Sequence, residues 1–329
     1  MGNPRDTGER SVGPYVIAGL VLLVLGMAGV WGILQWFARP ALVLDLDDRL
    51  PPTPPAIAAP GQLRAAVATM FSPRDTYTHY ARLVELVGRD VGRPASLIVR
   101  PTYKETREAI LSGAVDVALV CTGPYVLMAG TGRVELLVQP ELRPGLTFHA
   151  AVIVPADSPA QSLDDLRERT FGYADPESFT GCFLVRDLLR RRGQEPDSFF
   201  GKGLYTGSHD RSVQAVVNRF VDGASVHSLV LAGVLAEHPD WAGQLRVIWR
   251  SEAYGPPPVV VPAALDPALK TALRTAFLRF HETPEGPAIL QVLGVERFVA
   301  PRPADYASAL ALYQAAAAAA APPAEGRVP

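Results

Sequence analysis

The chain has 329 residues, 48% hydrophobic and 19% charged, with a formal net charge of −2 and two cysteines. That length can bury a sizeable core and suggests about two domains, and the lack of a basic excess excludes a nucleic-acid partner. Two cysteines outside any CxxC pair exclude a disulfide framework and leave the redox compartment open.

Tyr15 to Phe37 carries no charge. As a helix it spans roughly 35 Å, enough for a bilayer core of about 30 Å. Gly19, Gly26, Gly29 and Gly32 would weaken a soluble helix but are tolerated in lipid, and Trp31, Trp36 and Phe37 stand where a cleavage site would need small residues. The stretch predicts an uncleaved transmembrane anchor over residues 15–37. Arg5 and Arg10 before it, against Asp45, Asp47 and Asp48 after it, predict a cytoplasmic N-terminus, residues 1–14, and a single-pass inner-membrane protein with its body in the periplasm or another extracytoplasmic space. Residues 38–60 are proline-rich and predict a semi-rigid linker. At the other end, residues 315–329 predict a frayed, alanine- and proline-rich tail.

Between linker and tail, strands and helices alternate. Strands are predicted at Leu63–Ala68, Ser96–Arg100 and Val115–Val120, separated by helices at Thr76–Val91, with Tyr80, Leu83, Val84 and Val87 on one face, and at Lys104–Ser112. After a strand at Val134–Val138, His149–Val154 opens a second series: a helix at Ser162–Arg167, a strand at Thr170–Tyr173, a helix from Thr180, a strand at Gly203–Tyr205, a helix from Asp210 and a strand at Gly223–Val226. Such alternation predicts two α/β lobes with mainly parallel sheets, whose ligands sit at the carboxyl ends of the strands.

Two strand-to-helix turns carry candidate chemistry. In Tyr173–Leu189, Ser178 and Thr180 are N-cap residue types and Gly181 lets backbone approach a ligand closely; in Tyr205–Ser228, Ser208, His209 and Asp210 begin a helix. A helix start offers free N–H groups to an anion, so two of them facing one crevice would bind an oxyanion without lysine or arginine. The same residues also serve as plain caps, and His209 as a solvated turn residue. The histidines lack HxxxH spacing and no Gx4GK[ST] or GxSxG motif occurs, so no metal site, P-loop or serine hydrolase is expected.

The runs SGAVDVALVCTGPYVLMA, ADPESFTG, YTGSHDRSVQAVVNRFVDGASV and GPPPVVVPAALDPALKTALRTAFLRFHETPEG resemble the phosphate/phosphite/phosphonate-binding periplasmic proteins, the PhnD-type receptors of ABC transporters. The likeness covers about residues 61–310. It implies an α/β, two-lobed type II periplasmic-binding-protein fold with a hinge, with residues 61–147 and 249–314 in lobe one and 148–248 in lobe two. It implies capture of a small oxyanion of the phosphate, phosphite or phosphonate class for an ABC permease, with no enzyme activity, catalytic residue, metal or cofactor. Matched residue by residue, it implies ligand binding by Ser178, Thr180 and Gly181, by Gly207, Ser208 and His209, and by Tyr125. A sensor that signals oxyanion binding to a membrane histidine kinase is the alternative.

Three residues depart from the family pattern. Phe179 removes a hydroxyl from the serine-rich turn. His227 replaces an aspartate that receives an ammonium group, which disfavours aminoethylphosphonate and suits a bare oxyanion, whether the imidazole is neutral or cationic; it also reads as a packed strand-end histidine. Cys121 stands where relatives carry glycine. With Cys182 it reads as an inert buried residue, or, if a helix N-terminus lowers its thiol pKa, as a soft ligand for arsenite, as in arsenite sensors of the same superfamily.

Overall fold

The computed structural model describes residues 61–320, together with Met27. The predicted cytoplasmic segment (1–14), anchor (15–37), linker (38–60) and last nine residues of the tail lie outside the described residues, apart from Met27. Among the described residues no helix is long and apolar enough to cross a membrane.

Eleven strands form two sheets among these residues. The first half-domain runs β1 (Leu63–Val67), α1 (Pro73–Asp90), β2 (Ala95–Val99), α2 (Tyr103–Leu111), β3 (Val117–Leu119), α3 (Thr122–Met128) and β4 (Val134–Leu142). The chain then crosses to β5 (Ala150–Pro155), β6 (Thr170–Tyr173), α4 (Leu184–Arg191), α5 (Pro196–Phe199), β7 (Lys202–Tyr205), α6 (His209–Val217), β8 (Gly223–His227), α7 (Ser228–Glu237) and β9 (Leu245–Arg250). It returns through β10 (Val259–Pro262), α8 (Pro267–Leu278), α9 (Gly286–Val292), β11 (Val295–Val299) and α10 (Ala307–Ala320). The first sheet has the order β11-β4-β10-β3-β1-β2 and the second β7-β6-β8-β5-β9. Two connections therefore join the lobes, β4 to β5 and β9 to β10.

The central strands are apolar on both faces because helices cover both. Val152, Val154 and Ile153 of β5 are all fully buried, as are Val259, Val260 and Val261 of β10. Helix α1 begins where Ser72 Oγ accepts the Asp75 N–H at 3.3 Å and Pro73 occupies the first turn. It buries the predicted face, Tyr80, Leu83, Val84 and Val87.

Two local expectations are corrected, and so is the expectation of mainly parallel sheets, since β10 and β11 in the first sheet and β5 in the second pair antiparallel with their neighbours. Ser162–Arg167 holds only one short 3-10 turn, Asp164–Leu166, because the Asp165 carboxylate ties back the Gln161 and Ser162 N–H groups, each at 2.9 Å. A helix not anticipated from the pattern, α3, follows β3 directly. The alanine run continues α10 as far as Ala320, and Tyr313 of that helix stacks on Phe183 with ring centroids 3.8 Å apart.

The lobes meet across the crevice. Arg107 of α2 makes a bidentate pair with Glu177 at 2.9 and 2.7 Å, and the Ser72 N–H donates to Asp210 Oδ2 at 2.8 Å. The Tyr103 N–H donates to Asp175 Oδ2 at 3.3 Å, and the His209 N–H to the Met70 carbonyl at 3.0 Å.

Candidate functional site

Strand β6 delivers the chain into a tight turn at Asp175–Ser178, followed by one π turn, Phe179–Phe183, that leads into α4. Ser178 is the N-cap: its Oγ accepts the Gly181 N–H at 3.0 Å and lies 3.2 Å from His209 Nε2. On its other side, His209 Nδ1 accepts the backbone N–H of His227 at 3.1 Å. An acceptor Nδ1 carries no proton, so the proton of the neutral ring is on Nε2 and is donated to Ser178. Burial pushes His209 down to about 3, which keeps the ring neutral. Ser178 Oγ thus receives two donors, leaving its own O–H to point onward.

Around this pair stand buried hydroxyls without partners. Thr180 Oγ1, Ser208 Oγ and Tyr103 Oη are all inaccessible, and none makes a well-formed hydrogen bond. Tyr103 Oη lies beside the Ser178 hydroxyl, and Ser208 Oγ beside the Asp210 carboxyl. An orphaned buried hydroxyl costs about 1–3 kcal/mol, so three near one serine–histidine pair form a donor set suited to a ligand's oxygens. Two lobes supply it: Tyr103 begins α2 in the first, the others belong to the second. Asp175 fixes the meeting, accepting the Tyr103 N–H with Oδ2 and the Glu177 N–H at 2.7 Å with Oδ1. Burial raises the Asp175 pKa, only partly offset by those N–H donors.

Gly181 belongs here for steric reasons. A Cβ on it would come 2.6 Å from both Ala174 Cβ and His209 Cε1. Gly207 makes the second turn in the left-handed region, φ 88°. The α6 start that follows differs from expectation. Its leading amide, His209 N–H, is taken by the Met70 carbonyl of the first lobe, and Asp210 sits in its first turn. That turn contributes a hydroxyl and a ring to the crevice in place of a row of free amides.

His227 ends β8, and its Nδ1 accepts the Leu229 and Val230 N–H groups at 3.1 and 3.4 Å, capping α7. Burial holds its pKa well below the usual histidine value, which excludes the cationic form; the ring packs on Phe148 and His209 at centroid distances of 4.6 and 5.5 Å. Tyr125 lies apart from the hydroxyl cluster in its contacts: its ring packs edge-on against Tyr306 at 4.7 Å. Phe179, in place of a donor, joins Phe183, Tyr254 and Tyr313 in an aromatic group.

Both cysteines are buried and unbridged. Of the two readings of Cys121, the soft-ligand one needs a lowered thiol pKa, and the structure gives the opposite direction. Burial pushes it up to about 11 even though the Gly123, Phe179 and Thr122 N–H groups face the sulfur. Cys182, also raised to about 11 by burial, packs in a separate apolar cluster of the second lobe, so the two do not form a soft-ligand pair. Among the described residues, no group of three or more His, Cys, Asp and Glu side chains could hold a metal ion.

Tyr103 and Asp175 went unnoticed in the sequence pattern. Tyr103 had a local signal, since Thr102 caps α2 by accepting the Glu105 N–H at 3.2 Å and so places Tyr103 at a helix start after a strand.

Residues 65–306 match the family model described as "ABC transporter, phosphonate, periplasmic substrate-binding protein". The chain is similar to the phosphonates-binding periplasmic protein of Escherichia coli K12, 29% identical over 151 residues, which is 45% of this chain and 44% of that one, so the match spans less than half of that relative's length. It is 21% identical over 230 residues to the phosphate-import protein PhnD of Mycolicibacterium smegmatis, covering 66% of this chain and 71% of the relative. Among solved structures, the binding-protein component of an ABC phosphonate transporter from Pseudomonas aeruginosa superimposes with a TM-score of 0.73 at 21% identity, covering 81% of this chain and 90% of that one. PhnD1 from Prochlorococcus marinus, in complex with methylphosphonate, gives 0.70 at 15% identity, covering 79% and 99%. At these identities the structures establish the shared fold, and the family model, matching well over half of the sequence, establishes that the chain belongs to the periplasmic substrate-binding proteins of phosphonate ABC transporters.

Proposed function

We propose that the chain is an extracytoplasmic receptor that closes on a small tetrahedral oxyanion of the phosphonate or phosphate class and presents it to an ABC permease, with no chemical turnover. The observation that carries this reading is the set of buried hydroxyls near the Ser178–His209 pair that make no well-formed hydrogen bond: Thr180, Tyr103 beside Ser178, and Ser208 beside Asp210. A phosphonate group has three oxygens that accept hydrogen bonds, and donors from both lobes reach it only when the lobes are together. The ligand therefore stabilises the closed form by the difference between its contacts there and in the open form.

The Ser178–His209 pair also argues against hydrolysis. A general base must face the serine with an unprotonated nitrogen, and a carboxylate should hold the other nitrogen's proton. Here Nδ1 is an acceptor, and the proton stands between Nε2 and Ser178. The pair is arranged to donate. As part of the same proposal, Tyr15–Phe37 tethers the receptor to the inner membrane, supported by that uncharged stretch and the charges flanking it.

Calorimetric titration of the full-length protein with methylphosphonate and inorganic phosphate tests the reading. Hydrogen bonds to a charged group contribute about 1.5–3 kcal/mol each, so Ser178→Ala combined with Thr180→Ala is expected to weaken binding at least 100-fold; equal affinity in the double variant would refute the site. Retention of the protein in the membrane pellet after alkaline carbonate extraction is the expected result for the tether, and release into the supernatant would rule it out.

A further inference from the structure

The turn Asp175–Phe179 of the second lobe rests on the first lobe through contacts that lie outside the hydroxyl cluster. Both carboxylate oxygens of Glu177 accept from Arg107 of α2, at 2.9 and 2.7 Å, and the side chains are only 17% exposed for Glu177 and 23% for Arg107. The Glu177 carbonyl oxygen is pressed against Gly123 of α3. A Cβ on Gly123 would collide with that oxygen and come 3.1 Å from the Phe179 nitrogen and 2.9 Å from Tyr313 Oη. Gly123 has no positive φ, so its backbone does not call for glycine, and the tightest approach to it comes from the other lobe. A second ion pair between the lobes, His79–Glu237, is longer at 3.7 Å and its carboxylate is half exposed, which leaves it little strength.

Building on the oxyanion reading above, we propose that Glu177, Arg107 and Gly123 form a closure dock, a set of positioning residues that fixes how tightly the receptor binds without touching the ligand. The dock adds to the closed form and is absent when the lobes part. Affinity in solution is the closed form's affinity multiplied by the fraction of the protein in the competent state. A change in the dock therefore scales every ligand by one common factor, whereas a lost ligand contact affects different ligands unequally. The guanidinium and carboxylate meet at two points, a geometry that a lysine would not reproduce. Glu108 lies near Arg107 and Asp175 near Glu177, so a carboxylate at position 107 would enlarge an acidic group that closure must bury.

Calorimetry on the full-length protein with inorganic phosphate and methylphosphonate tests this in Arg107→Glu, Glu177→Arg and the two combined. Each single variant is expected to weaken both ligands about tenfold or more and by the same factor, and the combination, which restores an ion pair of opposite polarity, should return both to within about threefold of wild type. Gly123→Ala should also weaken both ligands by one factor and, at ligand concentrations that saturate the wild type, enlarge the radius of gyration in small-angle scattering. Glu177→Gln, which keeps the shape of the side chain, should give a smaller common loss and serves if the combined variant does not fold. Wild-type affinity in the single variants, losses that differ between the two ligands, or no recovery in the combination would overturn the dock and leave the oxyanion site standing. Failure of the wild type to bind either oxyanion would remove that site and this inference with it.

Discussion

Two segments of the second lobe, Asp175–Phe183 and Thr206–Ser212, each follow a strand, place a serine at an N-cap and open a helix, yet they meet the crevice differently. At the first, Ser178 spends its Oγ on the Gly181 amide, and Thr180 keeps a buried hydroxyl with no partner. At the second, Ser208 makes no side-chain cap, Thr206 Oγ1 bonds the Ser208 carbonyl and Ser212 Oγ at 2.9 and 2.6 Å, and the leading amide is bonded to the other lobe. The first turn keeps a buried hydroxyl unpaired. The second holds the lobes together and contributes a ring. Residue types that favour helix starts do not by themselves make an anion site; unpaired buried donors do.

That contrast can be broken most severely at Gly181. Alanine there would place its Cβ 2.6 Å from Ala174 Cβ and from His209 Cε1, a clash that must displace the turn or the ring. Methylphosphonate binding is expected to fall at least 100-fold, with the melting temperature lowered as well. A Gly181→Ala variant that binds normally would show that the turn tolerates movement and that its geometry is not the basis of the site.

The second-turn histidine gives the next largest effect, on stability rather than affinity. The unfolded chain protonates His209 near pH 6.5, whereas the folded chain resists until about pH 3. Between those values the unfolded state binds the extra proton. Stability contributed by the neutral ring is therefore complete above pH 6.5 and declines as pH falls toward 3, by up to about 1.4 kcal/mol per pH unit. Urea unfolding from pH 7 to pH 4 should show this slope, and His209→Gln should flatten it by about one proton. An unchanged slope in the variant would mean that His209 does not carry the effect.

The smallest effect concerns the aromatic group that Phe179 joins. Tyr313 stacks on Phe183, and such pairs contribute about 0.5–1.5 kcal/mol beyond burial. Since α10 packs on the first lobe's α3 and Phe183 belongs to the second lobe, Tyr313→Ala should favour the open form and weaken ligand binding three- to tenfold. Equal affinity, with equal compactness in small-angle scattering, would show that the stack does not hold the lobes together.

Much of this architecture was legible in the chain because it is local. The alternation of buried strands with amphipathic helices, the turn at Ser178 and the turn at Ser208 each rest on neighbouring residues. What escaped is non-local. Tyr103 becomes a site residue only because Asp175, from the other lobe, accepts its amide. Cys121 allowed two readings, an inert buried residue or a soft ligand, and its complete burial, which raises its pKa, favours the first. His227 read either as a ligand contact or as a packed strand-end residue, and its Nδ1 is committed to capping α7, a bond no local pattern announced. Helix α3 is seven residues long, too short for a clear period, and contains Pro124.

Tyr103→Phe removes one oxygen from the first lobe's contribution and nothing else, which makes it the sharpest probe of a ligand site built from orphaned hydroxyls. The Tyr103 Oη is buried only where the lobes are closed and there lies beside the Ser178 hydroxyl, so its removal should leave the melting temperature of the ligand-free protein, whose crevice is open to water, close to that of wild type. In the same protein, calorimetry should show methylphosphonate binding at least tenfold weaker. Affinity equal to wild type would contradict the account, because Tyr103 would then face no ligand and the two-lobed donor set would not exist.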